Sequence, residues 1–137
     1  MSTQEILEYQ VANIGFQLDK VFEGLHESLL DHKIVPAAMS ARETLTHLPE
    51  CYIAALEHAA GKNHEWGSYR TEAKSLEDLL GELRARRAEA VTALLATADA
   101  KTIHDYIVGH DAYHIGQMAL LRLSTDSAWD PYSLYGA

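Results

Sequence analysis

Apolar side chains recur at spacings of three and four along four stretches of the chain, the pattern of amphipathic helices with one buried face. The first stripe is Leu7, Val11, Ile14, Leu18, Val21, Leu25 and Leu29; the second is Ala41, Leu45, Leu48, Tyr52, Ala55 and Ala59, with Gly61 as a stop. The third runs through Leu76, Leu80, Leu83, Val91 and Leu94, and the fourth reads Ile103, Ile107, His110, His114, Gln117 and Leu121. Each stretch opens with a hydroxyl residue and an acid three positions on: Ser2/Glu5, Ser40/Glu43, Ser75/Asp78 and Thr102/Asp105. That is the spacing of a capping box or its Asp variant. The pattern predicts helices over 3–30, 41–60, 76–96 and 103–123, with an irregular tail, 124–137, lying over them. No sustained alternation of β-branched residues argues for a sheet, so the expected class is all-α: a single-domain four-helix bundle spanning 1–137.

The connections constrain the path. Only a few residues around Thr97 to Lys101 join the third and fourth helices, which favours antiparallel neighbours. Gly61 to Lys74 is longer and carries Trp66 and Tyr69. A 20-residue helix is ~30 Å long and extended chain covers ~3.3 Å per residue, so about nine residues suffice to return along it. This segment can therefore be a crossover between two parallel helices.

Charge narrows the partners. Eleven Lys and Arg against twenty Asp and Glu leave a formal charge of −9, which repels nucleic acid and anionic lipid. A lone Cys51 excludes an internal disulfide, and no apolar run approaches the ~20 residues that span a bilayer. The start, Met1 to Glu5, lacks the features of a signal peptide, and the expected location is cytoplasmic. At 137 residues the chain can bury a core without a structural metal, so any metal is expected to be functional.

The fourth stripe is unusual because His110 and His114 interrupt it, turning two polar rings toward the core. Residues four apart sit one turn up the same face, ~6 Å along the axis, close enough to serve one ion. A third ligand must come from elsewhere. On the second helix His47 shares a narrow stripe with Cys51, Ala54 and His58. Three neutral imidazoles leave an open coordination sphere suited to Zn²⁺, Ni²⁺ or Fe²⁺. His58 and His104 lie too far along their helices, by ~16 Å from His47 and ~9 Å from His110, to share that ion. The competing reading is a metal-free bundle whose histidines are satisfied by carboxylates or tyrosine hydroxyls.

His110-Asp111-Ala112-Tyr113-His114-Ile115-Gly116-Gln117, an H-x-x-x-H followed by x-G-Q on a late helix, together with the earlier Thr46-His47-Leu48, resembles the signature of the DinB/YfiT-like metalloprotein superfamily. The resemblance covers the four-helix pattern from about Ser2 to Leu123. It implies up-down-down-up connectivity, a metal held by His47, His110 and His114, and often a homodimer. It also implies metal-dependent transferases and isomerases that use low-molecular-weight thiols such as bacillithiol or mycothiol. The resulting expectation is a thiol S-transferase or related detoxification enzyme; the alternative is a non-catalytic metal-binding or stress-related dimer.

Around the expected ion, Glu43 and Glu50 lie one turn either side of His47, Cys51 one turn beyond it as a soft ligand or a small core residue, Tyr113 beside His114, and Gln117 one turn further. Glu43 can orient a ligand ring or simply close its capping box. Asp111 sits about 100° round the helix from His110 and is expected to face away from the metal. The zinc-peptidase motif H-E-x-x-H needs Glu where this chain has Asp111, which disfavours a peptidase. A di-iron carboxylate bundle needs two E-x-x-H motifs, and only Glu23 to His26 supplies one. Pro49 is expected to bend the second helix or mark a later start. Gly109 and Gly116 align with Tyr113 and Leu120 on a separate face, for close packing by another helix or for a subunit contact.

Overall fold

The computed structural model describes residues 1–136, and among them every regular element is helical. Helix α1 spans Thr3–Phe22, α2 Ala41–Ala59 and α3 Leu76–Thr97. The fourth rod is composite: α4 (Ala100–Ile103), a π segment His104–Val108 and α5 (Gly109–Thr125) follow one another without a loop. Short 3₁₀ turns, Glu27–Leu29 and Pro131–Tyr135, complete the described chain. The architecture is an all-α four-helix bundle. Among the described residues no helix is long and apolar enough to cross a membrane.

Local chemistry explains most boundaries. Ser2 and Ser40 close full capping boxes with Glu5 and Glu43, and Ser75 accepts from the Asp78 N–H. The fourth rod departs from expectation: Asp99, not Thr102, is its cap, accepting from the Thr102 N–H and hydroxyl, so the helix starts earlier than residue 103. The first helix is also shorter than the 3–30 its stripe suggests. Glu23 turns extended and Gly24 adopts φ +73°, a left-handed conformation that favours glycine. The buried Arg122 then donates to the carbonyls of Val21 and Glu23, taking over acceptors a continuing helix would use, while its guanidinium stacks 5.1 Å from the Trp129 ring. The tail is accordingly not wholly irregular, since its 3₁₀ turn packs Leu134 into the core.

Cross-chain bonds show the directions of the rods. Gln4 bonds the Leu95 carbonyl near one end of the bundle and Asp19 pairs with Arg84 further along, so α1 and α3 run oppositely. Arg42 reaches the Lys74 carbonyl just before α3, whereas His58 and Ala59 share a cavity with Leu94 and Thr97, so α2 and α3 run the same way. The chain between them, Gly61 to Lys74, travels back along the bundle. His64 fastens this crossover to α2: its Nδ1 bonds Glu57 at 2.9 Å and its Nε2 bonds Glu50 at 3.2 Å. The Glu50 carboxylate also accepts from the N–H groups of Gly67 (2.7 Å) and Tyr69 (3.4 Å).

Ionised carboxylates only accept, so a ring facing one on each nitrogen satisfies both contacts only as imidazolium. Burial opposes that charge, but Glu50 and Glu57 outweigh it and raise the His64 pKa above its ordinary 6.5. A folded-state value above the unfolded one contributes stability that is complete below the unfolded pKa and lost as pH rises through the folded one. The stability lost in His64→Ala should therefore be largest in mildly acidic buffer and shrink in alkaline buffer. Urea unfolding at the two conditions reads the difference; an equal loss at both would refute the charged clasp.

Candidate metal centre

His47 projects from the second turn of α2, and His110 and His114 from successive turns of α5. Their ring centroids lie 5.4 Å (His47–His110), 4.9 Å (His47–His114) and 4.7 Å (His110–His114) apart. The Nε2 atoms of His110 and His114 are 3.3 Å from each other. Cys51, one turn beyond His47 on the same face, places Sγ 3.5 Å from His47 Nε2 and 3.8 Å from His110 Nε2. Donor atoms of His47, Cys51 and His110 all lie within 4.8 Å of one another, and His114 joins this group through His110.

The donor set fits a cation. A tetrahedral centre with metal–nitrogen bonds of about 2.0–2.1 Å separates its nitrogens by about 3.3–3.4 Å, close to the His110–His114 spacing. Burial lowers the pKa of all three rings: that of His47 against a weaker pull from Glu50, that of His110 further by His47, and that of His114 to about 4 with help from His110 and His47. Neutral imidazole is the ligating form. His110 Nδ1, His114 Nδ1 and Gln117 Oε1 are buried without a hydrogen-bond partner among the described residues; the two Nδ1 atoms are the ring nitrogens turned away from the shared Nε2 contact, so ordered water rather than the ion would meet their demand. Burial, Glu50 and Asp111 together push the Cys51 thiol up to about 12.

The rings open onto a cavity of about 390 Å³. Tyr113 and Gln117 line it opposite Ala37, Ala38 and Met39, and Gln117 donates to the Tyr113 hydroxyl at 3.2 Å. The three small or apolar residues belong to the connection before α2, where no periodicity flagged them. Two sequence candidates sit elsewhere. Glu50 is turned to the crossover, where His64, Gly67 and Tyr69 saturate it, and Glu43 closes its capping box and pairs with Lys33 at 3.0 Å. Neither contacts a ligand ring, because each carboxylate has nearer donors on its own side of α2.

Asp111 does face away from the rings, but into the core rather than to solvent. It is 0% exposed, accepts from the Tyr52 hydroxyl at 2.6 Å and pairs with Arg87 at 2.9 Å. Arg87 also bonds the Val11 carbonyl at 3.0 Å and crosses so close to α1 that a Cβ on Gly15 would lie 2.7 Å from its Nη1. One network thus ties α1, α2, α3 and α5 together. Its members Tyr52 and Asp111 are the chain neighbours of Cys51 and His110, so it seats the two helices that bear the donors. Burial raises the Asp111 pKa against the opposing pull of Arg87 and Tyr52. The π segment just before the site adds to this placement: the Gly109 N–H bonds the His104 carbonyl, and a widened turn offsets the residues that follow.

Gly109 packs against its own His104, whose Nε2 lies 2.6 Å from where a Cβ would stand, whereas Gly116 meets nothing within 4 Å. Close packing by another helix of this chain is therefore not the reason for Gly116.

No curated protein and no solved structure matches the chain significantly. The sequence model of the DinB superfamily matches residues 17–123, which takes in the end of α1, all of α2 and α3, and α5 nearly to its last turn, with His47, Cys51, His110 and His114 inside the match. The chain belongs to the DinB superfamily.

Proposed function

We propose that His47, His110 and His114 hold a divalent transition metal, Zn²⁺, Ni²⁺ or Fe²⁺, and that the chain is a metal-dependent enzyme transferring a low-molecular-weight thiol to an electrophile. The observation that carries this reading is three imidazoles meeting at the wall of an open cavity. When bound, such a cation lowers the pKa of a thiol or water and polarises an electrophilic group. The chain supplies the rest. Its rings stay neutral because burial and mutual repulsion disfavour protonation. Met39, Ala37 and Ala38 give an incoming ligand an apolar wall, and the Tyr113 hydroxyl and Gln117 amide give polar contacts on the other side.

The test mixes metal-loaded, tag-free protein with chemically distinct small thiols and a chromogenic electrophile. Turnover is expected with metal and absent without it. Retained metal with no catalysis across thiols would replace the transferase by a non-catalytic metal-binding protein.

A homodimer belongs to the same proposal. Tyr113 is 63% exposed, Leu120 59% and Leu123 38%, and with the open Gly116 they form one apolar strip along α5. Because Tyr113 also lines the cavity, a second copy on this strip would wall the site. Gly116→Glu introduces a charge there and removes a helix-weakening glycine, so the monomer should gain up to ~1 kcal/mol while the dimer dissociates. Light scattering coupled to size exclusion reads the state, and an undisturbed dimer would move the interface elsewhere.

A further inference from the structure

We infer that Cys51 is itself a ligand of this cation, giving the centre a resident sulfur on its buried side and completing four protein donors, so that an incoming molecule binds from the cavity side only by expanding the sphere to five-coordinate. The inference rests on the metal reading above and goes beyond the all-imidazole set. Cys51 is 4% exposed and does not line the cavity, whereas His47, His110 and His114 do. In a tetrahedral sphere with metal–sulfur bonds of about 2.3 Å and metal–nitrogen bonds of about 2.0–2.1 Å, sulfur and nitrogen lie about 3.6 Å apart. The observed separations, 3.5 Å to His47 Nε2 and 3.8 Å to His110 Nε2, bracket that figure. The turn of helix between His47 and Cys51 produces this spacing, since side chains four apart stack on one face. On uptake the sulfur–metal bond forms as the S–H bond breaks, and the proton leaves to the buffer. A thiolate donor biases the centre toward softer cations and away from Mg²⁺ or Ca²⁺.

Cobalt(II) tests this without any assay of activity. Reduced, tag-free, metal-free protein is titrated with Co²⁺ and its absorption recorded. Visible ligand-field bands report binding, and intense near-ultraviolet charge transfer reports a sulfur–cobalt bond. Both are expected in the wild type. Cys51→Ser should lose the near-ultraviolet band, keep the visible bands, and bind Co²⁺ at least roughly tenfold more weakly, the lower end of losses seen when a ligand's supporting partner is removed. Visible bands without charge transfer in the wild type would overturn the role of Cys51 and leave the three-histidine site standing. No cobalt binding at all would overturn both. Should the variant fail to fold, the wild-type spectrum decides alone, because the band belongs to the intact protein.

Discussion

Replacing His110 by Ala should empty the centre. Protein purified without a histidine tag is expected to contain about one transition metal per chain, and His110→Ala close to none. Among the donors His110 is the shared neighbour: its Nε2 lies 3.3 Å from that of His114 and 3.8 Å from the Cys51 sulfur. The affinity should fall by more than the roughly 10–100-fold that follows loss of a mere supporting partner. Stability offers an independent reading. A ligand at one hundred times its dissociation constant stabilises the folded state by about 2.7 kcal/mol. Added metal should therefore raise the melting temperature of the wild type and leave that of His110→Ala unmoved. Elemental analysis and thermal melts with and without added zinc check both statements. Metal-free wild-type protein whose melting point ignores every added cation would establish the bundle with buried, unligated histidines instead.

The features legible in the sequence are those decided by neighbours along the chain. Ser2, Ser40 and Ser75 start helices because their hydroxyls accept from N–H groups three residues ahead, which the order of residues alone shows. The pairing of His110 with His114 is similarly prefigured by helical spacing, whereas His47, on a narrow stripe with Cys51, is joined to them by the family resemblance; the three ring centroids do lie 4.7–5.4 Å from one another. Illegible features depend on long-range partners. The stripe through Leu25 and Leu29 keeps its period past Phe22, and only the left-handed Gly24 and the distant Arg122 explain why α1 stops. Thr102 has the composition of a cap, yet Asp99 precedes it by one turn and competes successfully for the same N–H. Glu50 is one turn from His47, but nothing local announces that His64 and two backbone N–H groups of the crossover claim its carboxylate. Asp111 carried a missed signal: Ile107 and Ile115 lie four residues either side of it, so it shares their buried stripe. An acid on a core stripe calls for a cation on a facing helix, and Arg87 on α3 is that cation.

Asp111→Ala should accordingly be among the most destabilising single changes in the protein, by about 3–5 kcal/mol, the usual consequence of leaving one member of a buried ion pair behind. Asp111 is fully buried and the Arg87 side chain only 14% exposed, so water is a poor replacement for the lost carboxylate. The Tyr52 hydroxyl is stranded as well. Since a domain of this kind has about 5–15 kcal/mol in total, the variant should unfold at far lower urea, with an unchanged dependence on denaturant if it is still two-state. Tyr52→Phe removes one donor and leaves the ion pair, so it should lose only about 1–2 kcal/mol. The double change Asp111→Leu with Arg87→Met removes both charges together and should recover much of the loss, because burying two paired ions is not intrinsically favourable over apolar packing. These stability differences carry a functional corollary. Tyr52 and Asp111 adjoin Cys51 and His110, so a variant that keeps its fold but loosens this bond should bind metal more weakly although no donor has been touched. A loss under about 1 kcal/mol for Asp111→Ala would mean that apolar packing alone seats α5, and that the metal donors owe their alignment to the helices rather than to the charge buried beside them.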